Sequence, residues 1–252
     1  MTRTAVTVRR AVGPTGLVLC AAAAWVWLLL RRGDMGTRST TGGLLAFVGV
    51  WTVMMAAMML PATAPVAALY ARTVIVHRTP RMAAFTLGYV LVWAAAGLPA
   101  YDLAVGADRV VTAHVTTGTA VAAAVFAVNG LYQLGNLKDR CLAKCRSPIG
   151  LMLRYASYRG PSRHLRAGVH HGAYCLGCCW SLMLLFAAFG VMNLWAMAGL
   201  AAVVAAEKRL PGGFLVARVV GVVSLALAVA VFWAPALAPG LTGGGMGGMP
   251  AS

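Results

Sequence analysis

The sequence predicts an all-α fold, a polytopic bundle of transmembrane helices. Three observations carry this. Hydrophobic residues make up 61% of the 252, and charged residues only 10%, where a soluble domain carries about a quarter. Mean hydropathy is +0.81. The apolar residues gather into runs close to the roughly 20 residues that a bilayer-crossing helix needs.

Seven such runs stand out, at about 11–30, 43–69, 83–103, 115–135, 169–189, 191–206 and 214–237. The first follows Arg3, Arg9 and Arg10 and ends in WVWLLL before Arg31 and Arg32. It has the flanks of a signal peptide, and Cys20 in LVLCA loosely matches a lipoprotein cleavage box. Leu19 stands where a small residue is required, so an uncleaved helix is expected, with Cys20 in packing. The second run, GLLAFVGVWTVMMAAMMLPATAPVAAL, carries Pro61 and Pro65, which should kink or end it. The fifth and sixth are separated only around Gly190 and Asn193. The sixth is short, so six spans with a re-entrant element is the alternative count. The chain thus divides into residues 1–42 (tail, first helix and loop), a membrane domain over 43–237 with a basic cysteine-bearing loop at 136–170, and a Gly- and Met-rich tail over 238–252. That tail is expected to be disordered.

Lys and Arg total 21 against 5 Asp and Glu, a net charge of +16. Eight of the basic residues fall within 136–168. Basic loops stay in the cytoplasm. Placing the N-terminus there also keeps 70–82 and 207–218 inside, and leaves Arg31, Arg32, Arg38 and Arg109 outside. The charge therefore reads as topology in a bacterial inner membrane, with the lipid bilayer as partner and no nucleic acid. No P-loop, dinucleotide fingerprint, H-E-x-x-H or G-x-S-x-G is present. Catalysis is not the expected role.

YCLGCCWSLM, residues 174–183, puts three cysteines in five residues. Gly160-Pro161-Ser162 breaks the chain, and Ser162 is a candidate N-cap. A helix from about Arg163 would align His164, His171, Cys175, Cys178 or Cys179, and Met183 on one stripe, by spacings of three, four and seven. His164 and His170 nonetheless read as solvated or headgroup-facing. Cys141 and Cys145 are also one turn apart, between Lys138, Arg140, Lys144 and Arg146; positive neighbours favour the thiolate, the form that binds metal. In a reducing compartment, grouped cysteines point to metal or redox work. Met54 stands over Met58 and Met55 over Met59, a thioether face suited to passing Cu(I) along a helix, or simply to packing. Glu207 reads as an interfacial ion pair with its neighbours Lys208 and Arg209.

Three motifs then resemble a known family. They are W-x2-MM-x2-MMLP-x3-P (Trp51 to Pro65), LK-x2-CL-x2-CRSP-x-G (Leu137 to Gly150), and HG-x-YCLGCCW-x-LM with GVMNL and EK-x2-PGG (His171 to Gly213). Together, over about 44–235, they resemble the DUF2182 family of predicted metal-binding integral membrane proteins. The resemblance implies Cys141, Cys145, His171, Cys175, Cys178 and Cys179 as metal ligands. The expected function is handling of a metal ion, Cu(I) before Zn(II), at the cytoplasmic end of the fifth span, in transport, loading or homeostasis. A metallochaperone or a membrane protein would be the partner. A membrane thiol oxidoreductase and a metal-free assembly subunit are the alternatives.

Overall fold

The computed structural model describes residues 3–31, 43–74, 77–113, 115–190 and 193–242. The described residues are helical, with no strand among them. We number the helices α1 (Arg3–Leu30), α2 (Gly43–Thr73), α3 (Arg78–Ala113), α4 (Val115–Leu134) and α5 (Asn136–Arg146). The next five are α6 (Pro148–Ala156), α7 (Arg163–Phe189), α8 (Leu194–Arg209), α9 (Gly213–Ala230) and the short α10 (Pro239–Thr242).

Four helices, α2, α3, α7 and α9, are long and apolar enough to cross a bilayer alone. Helices α4 and α5 pass only as a pair bent by 62°. The expected seven spans thus become four or five among the described residues. Length explains the difference. Helix α8 has 16 residues, about 24 Å of rise, short of the roughly 30 Å of hydrocarbon. The last run also ends early, at Ala230. The chain then turns so that Ala238 and Leu241 are buried, with α10 against α3, α4 and α7. Residues 243–252 of the tail lie outside the described residues.

Helix α7 is the centre of the bundle, packed on α3, α4 and α5. Its contact with α3 is backbone to backbone. A Cβ on Gly168 would run into the Phe85 carbonyl, and one on Gly88 into the Leu165 carbonyl. Only glycine permits this approach, the small-residue seam common between membrane helices. Gly168 and Gly172 are spaced by four, so both fall on that seam.

Helix α2 neither ends nor breaks at its prolines; it runs 31 residues through Pro61 and Pro65. Each proline lacks an N–H, which frees the carbonyl four residues earlier. In lipid such a carbonyl must find another donor. The Ala57 carbonyl accepts from the Trp25 indole of α1 at 3.2 Å. The Pro61 carbonyl accepts from the Arg209 guanidinium at the end of α8.

Candidate metal centre

Helix α7 begins at Arg163 with Ser162 as its N-cap, although the serine side chain makes no capping bond. The helix therefore starts well before the apolar stretch, and Cys175, Cys178 and Cys179 lie near the midpoint of its 27 residues. The predicted stripe is realised. His164, His171, Cys175, Cys178, Cys179 and Met183 are all buried.

The two cysteine groups meet through one pair. The bend after α4 lays α5 against α7, and Cys145 Sγ comes within 3.7 Å of Cys178 Sγ. Two thiolates on one tetrahedral ion sit about 3.8 Å apart for metal–sulfur bonds of about 2.3 Å. The pair thus has the separation of two ligands of a single ion. Cys141 is only half-buried and lies beside Gly177, where its sulfur would be 3.5 Å from a Cβ at that position. Cys179 Sγ and Cys178 Sγ both turn to the Cys175 carbonyl, at 2.8 and 3.2 Å. Among the described residues, no three Cys, His, Asp or Glu side chains converge on one point. All six cysteines are free thiols.

Cys175 has two other partners. Tyr89 Oη lies 3.0 Å from its sulfur, held there by the glycine seam at Gly88. The Lys208 ammonium donates to the same sulfur at 2.8 Å. His171, one turn before Cys175, is 3% exposed, with its ring beside those of Phe85 and Tyr89. Neither of its ring nitrogens has a hydrogen-bond partner. Buried polar groups are nearly always bonded, so this imidazole is an unused donor set beside the thiols.

Beneath the cluster runs a charged network. Lys138 of α5 donates to the Cys178 carbonyl and to Glu207 Oε2, each at 2.6 Å, and both side chains are fully buried. Gln133 donates to Glu207 Oε1 at 2.8 Å. Arg146 donates to the Glu207 carbonyl. This corrects the expectation that Glu207 pairs with Lys208 and Arg209. Successive residues on a helix do not face one another. The three side chains accordingly reach three different helices: Glu207 to α5, Lys208 to α7 and Arg209 to α2. His164 corrects another expectation. It is buried, with Nδ1 2.7 Å from the Tyr70 hydroxyl of α2, because it lies seven residues before His171 on the inward face. His170 is half-buried among Tyr155, Tyr158 and Tyr174.

The four methionines of α2 are buried in the same core as the thiols, at 0–3% exposure. A separate cavity of about 610 Å³ lies between α3 and α7, bordered by Trp51, Val92, Leu176 and Trp180. No cysteine lines it.

Tyr89 and Lys208 were not legible as site residues, and Lys138 was legible only as a positive neighbour of Cys141 and Cys145. Nothing in a single tyrosine or lysine marks it as a thiol partner. The EKR triplet at a helix end was the one signal available for Lys208.

The fold and site define a helical membrane-associated protein with a buried cluster of free thiols. The family model that matches is PpoB2, described as a copper chaperone, over residues 48–231. The chain belongs to this family, and it is a membrane-associated copper-handling protein. The family found is a copper-handling one, and membership of DUF2182 is not shown. No curated protein and no solved structure matches the chain.

Proposed function

We propose that the protein holds Cu(I) as cargo between Cys145 and Cys178. Cys141, His171, Cys175 and Cys179 act as further ligands in receiving and releasing it. The observation that carries this is the 3.7 Å contact between the two sulfurs, which joins α5 to α7. Soft thiolates select Cu(I). A closed zinc site wants four ligands, and no three converge here among the described residues. Thiolates are the metal-binding form, and the Lys208 ammonium donates to Cys175 Sγ at 2.8 Å. The buried Met54, Met55, Met58 and Met59 supply a thioether route along α2. With the basic 136–168 segment on the cytoplasmic side of a bacterial inner membrane, Cys141 and Cys145 of α5 stand toward a cytoplasmic metallochaperone or a membrane partner.

The test is metal content of the reduced, detergent-purified protein after loading. About one copper per chain is expected, lost when Cys141, Cys145, Cys175, Cys178 and Cys179 are changed to Ser. Equal copper in both proteins would sink the proposal.

The same contact favours a second reading, a thiol couple. Cys145 and Cys178 would lose two electrons and two protons to a partner's disulfide, through a mixed disulfide, and form one S–S bond while the partner is reduced to two thiols. Cys145→Ser should then trap a mixed disulfide through Cys178. Absence of any such species on non-reducing gels removes this alternative.

A further inference from the structure

Helices α3 and α7 run the same way along their contact. Gly88 meets Leu165, Gly168 meets Phe85, and Gly172 meets Val92. Past these contacts the cavity of about 610 Å³ begins. Its walls are Ala96, Ala100 and Ala104 of α3, at every fourth residue, and Ala173 and Gly177 of α7 at the same spacing. Small residues so placed ordinarily let membrane helices close on one another. Here they leave a space instead. No charged or hydroxyl-bearing side chain among the described residues lines it. The Trp51 indole N–H at its floor is taken by the Trp93 carbonyl at 3.1 Å.

The cavity is a slot. It extends from Val92 to Ala104 on α3 and from Ala173 to Ala187 on α7, about 18–21 Å at the helical rise. Spread over that length, the volume gives a bore of about 6 Å. That is the width of one chain of carbon atoms, which keep about 4 Å from their neighbours. The slot is open along one side. Trp180 and Leu103 on its rim are 37% and 51% exposed, while Trp51, Met183 and Phe186 are buried. Both helices are long and apolar enough to cross a bilayer, so the opening faces hydrocarbon.

We propose that this slot binds one acyl chain of a bilayer phospholipid, which enters sideways between α3 and α7. A ligand with polar atoms inside the slot would lose its hydrogen bonds and find none in return. An empty slot would leave its walls without contacts, and apolar cavities take up apolar molecules rather than water. The bilayer supplies such chains at the open side. The bound chain lies along the back of the thiol helix, where Leu176, Gly177 and Trp180 line the slot and alternate with Cys175, Cys178 and Cys179. It braces the turns from which the thiols project, on the face opposite to them. Copper need not be present for this.

The experiment is tryptophan fluorescence of the full-length protein in phosphatidylcholine vesicles, with acyl chains brominated at mid-chain or left plain. Bromine quenches an indole that it touches. Trp51 is 5% exposed and lines the slot. Its share of the emission is wild type minus Trp51→Phe. Most of that share should be lost in the brominated vesicles. Ala96→Leu and Ala100→Leu fill the slot from α3, and each should restore most of it. Should either fail to fold, Ala187→Leu fills the slot from α7. Native mass spectrometry of the washed protein should also find one phospholipid per chain, lost in the filled variants. Trp51 unquenched while the exposed Trp180 is quenched would overturn the proposal, because the slot is then closed to lipid. Quenching of Trp51 that survives filling would overturn it as well, since the chain then arrives by another way. An isoprenoid or detergent mass in place of the phospholipid removes the assigned occupant.

Discussion

Helices α2 and α7 each bring a run of sulfur side chains into one core, but the two runs are treated differently. The methionines of α2 are buried within the hydrophobic core. The thiols of α7 are held individually: Cys175 by Tyr89 and Lys208, Cys178 by Cys145, and the backbone at Cys178 by Lys138. Thioethers carry no charge and need no compensation. Thiolates do, and Lys208 of α8 lies against the sulfur of Cys175. A run of soft donors becomes a holding site only where neighbouring helices supply charge and a second ligand. Under the proposed function, α7 retains the ion and α2, at most, conducts it.

The sharpest way to break this contrast is a single thiol. Cys178→Ser should abolish copper retention, because it removes the one sulfur that bridges α5 and α7. Retention at wild-type stoichiometry would mean that the pair is not the holding site. Next in size is Lys138→Met, which leaves Glu207 buried without its cation. A loss of about 3–5 kcal/mol is expected, read as a fall in Tm on the order of 10 °C. Lys138→Met with Glu207→Gln should recover most of it. If the single and double variants unfold alike, the network does not hold α5 in place. The smallest effect belongs to α2. Met54→Leu with Met58→Leu should cost under about 1.5 kcal/mol and leave equilibrium copper content unchanged. Under the route reading it slows loading. A fall in copper content would make the two regions alike after all.

The class of fold was plain in the sequence because hydropathy and charge segregation do not depend on how the helices pack. The stripe on α7 was equally plain, since it needs only the helical repeat once Ser162 starts the helix. The partners were not. Glu207, Lys208 and Arg209 are neighbours in sequence and reach three helices, and that divergence becomes visible only when α5 is bent back at 62° and α8 is docked. The span count was less legible, because a run of apolar residues does not reveal its helical length: α8 reads as apolar yet has 16 residues. Pro61 and Pro65 suggested a break, but donors 32 and 148 residues from the freed carbonyls, at Trp25 and Arg209, keep the helix whole.

Those two prolines also set an order of completion during synthesis. The carbonyl freed at Ala57 finds Trp25, which has already been made when α2 emerges. The carbonyl of Pro61 waits for Arg209, 148 residues later. At about 5–20 residues per second, the growing chain spends roughly 7–30 seconds with that group dependent on water or the insertion machinery. The N-terminal helices are thus unfinished until α8 arrives as a clasp, and a chain released before residue 209 would reach the quality-control proteases with α2 still open.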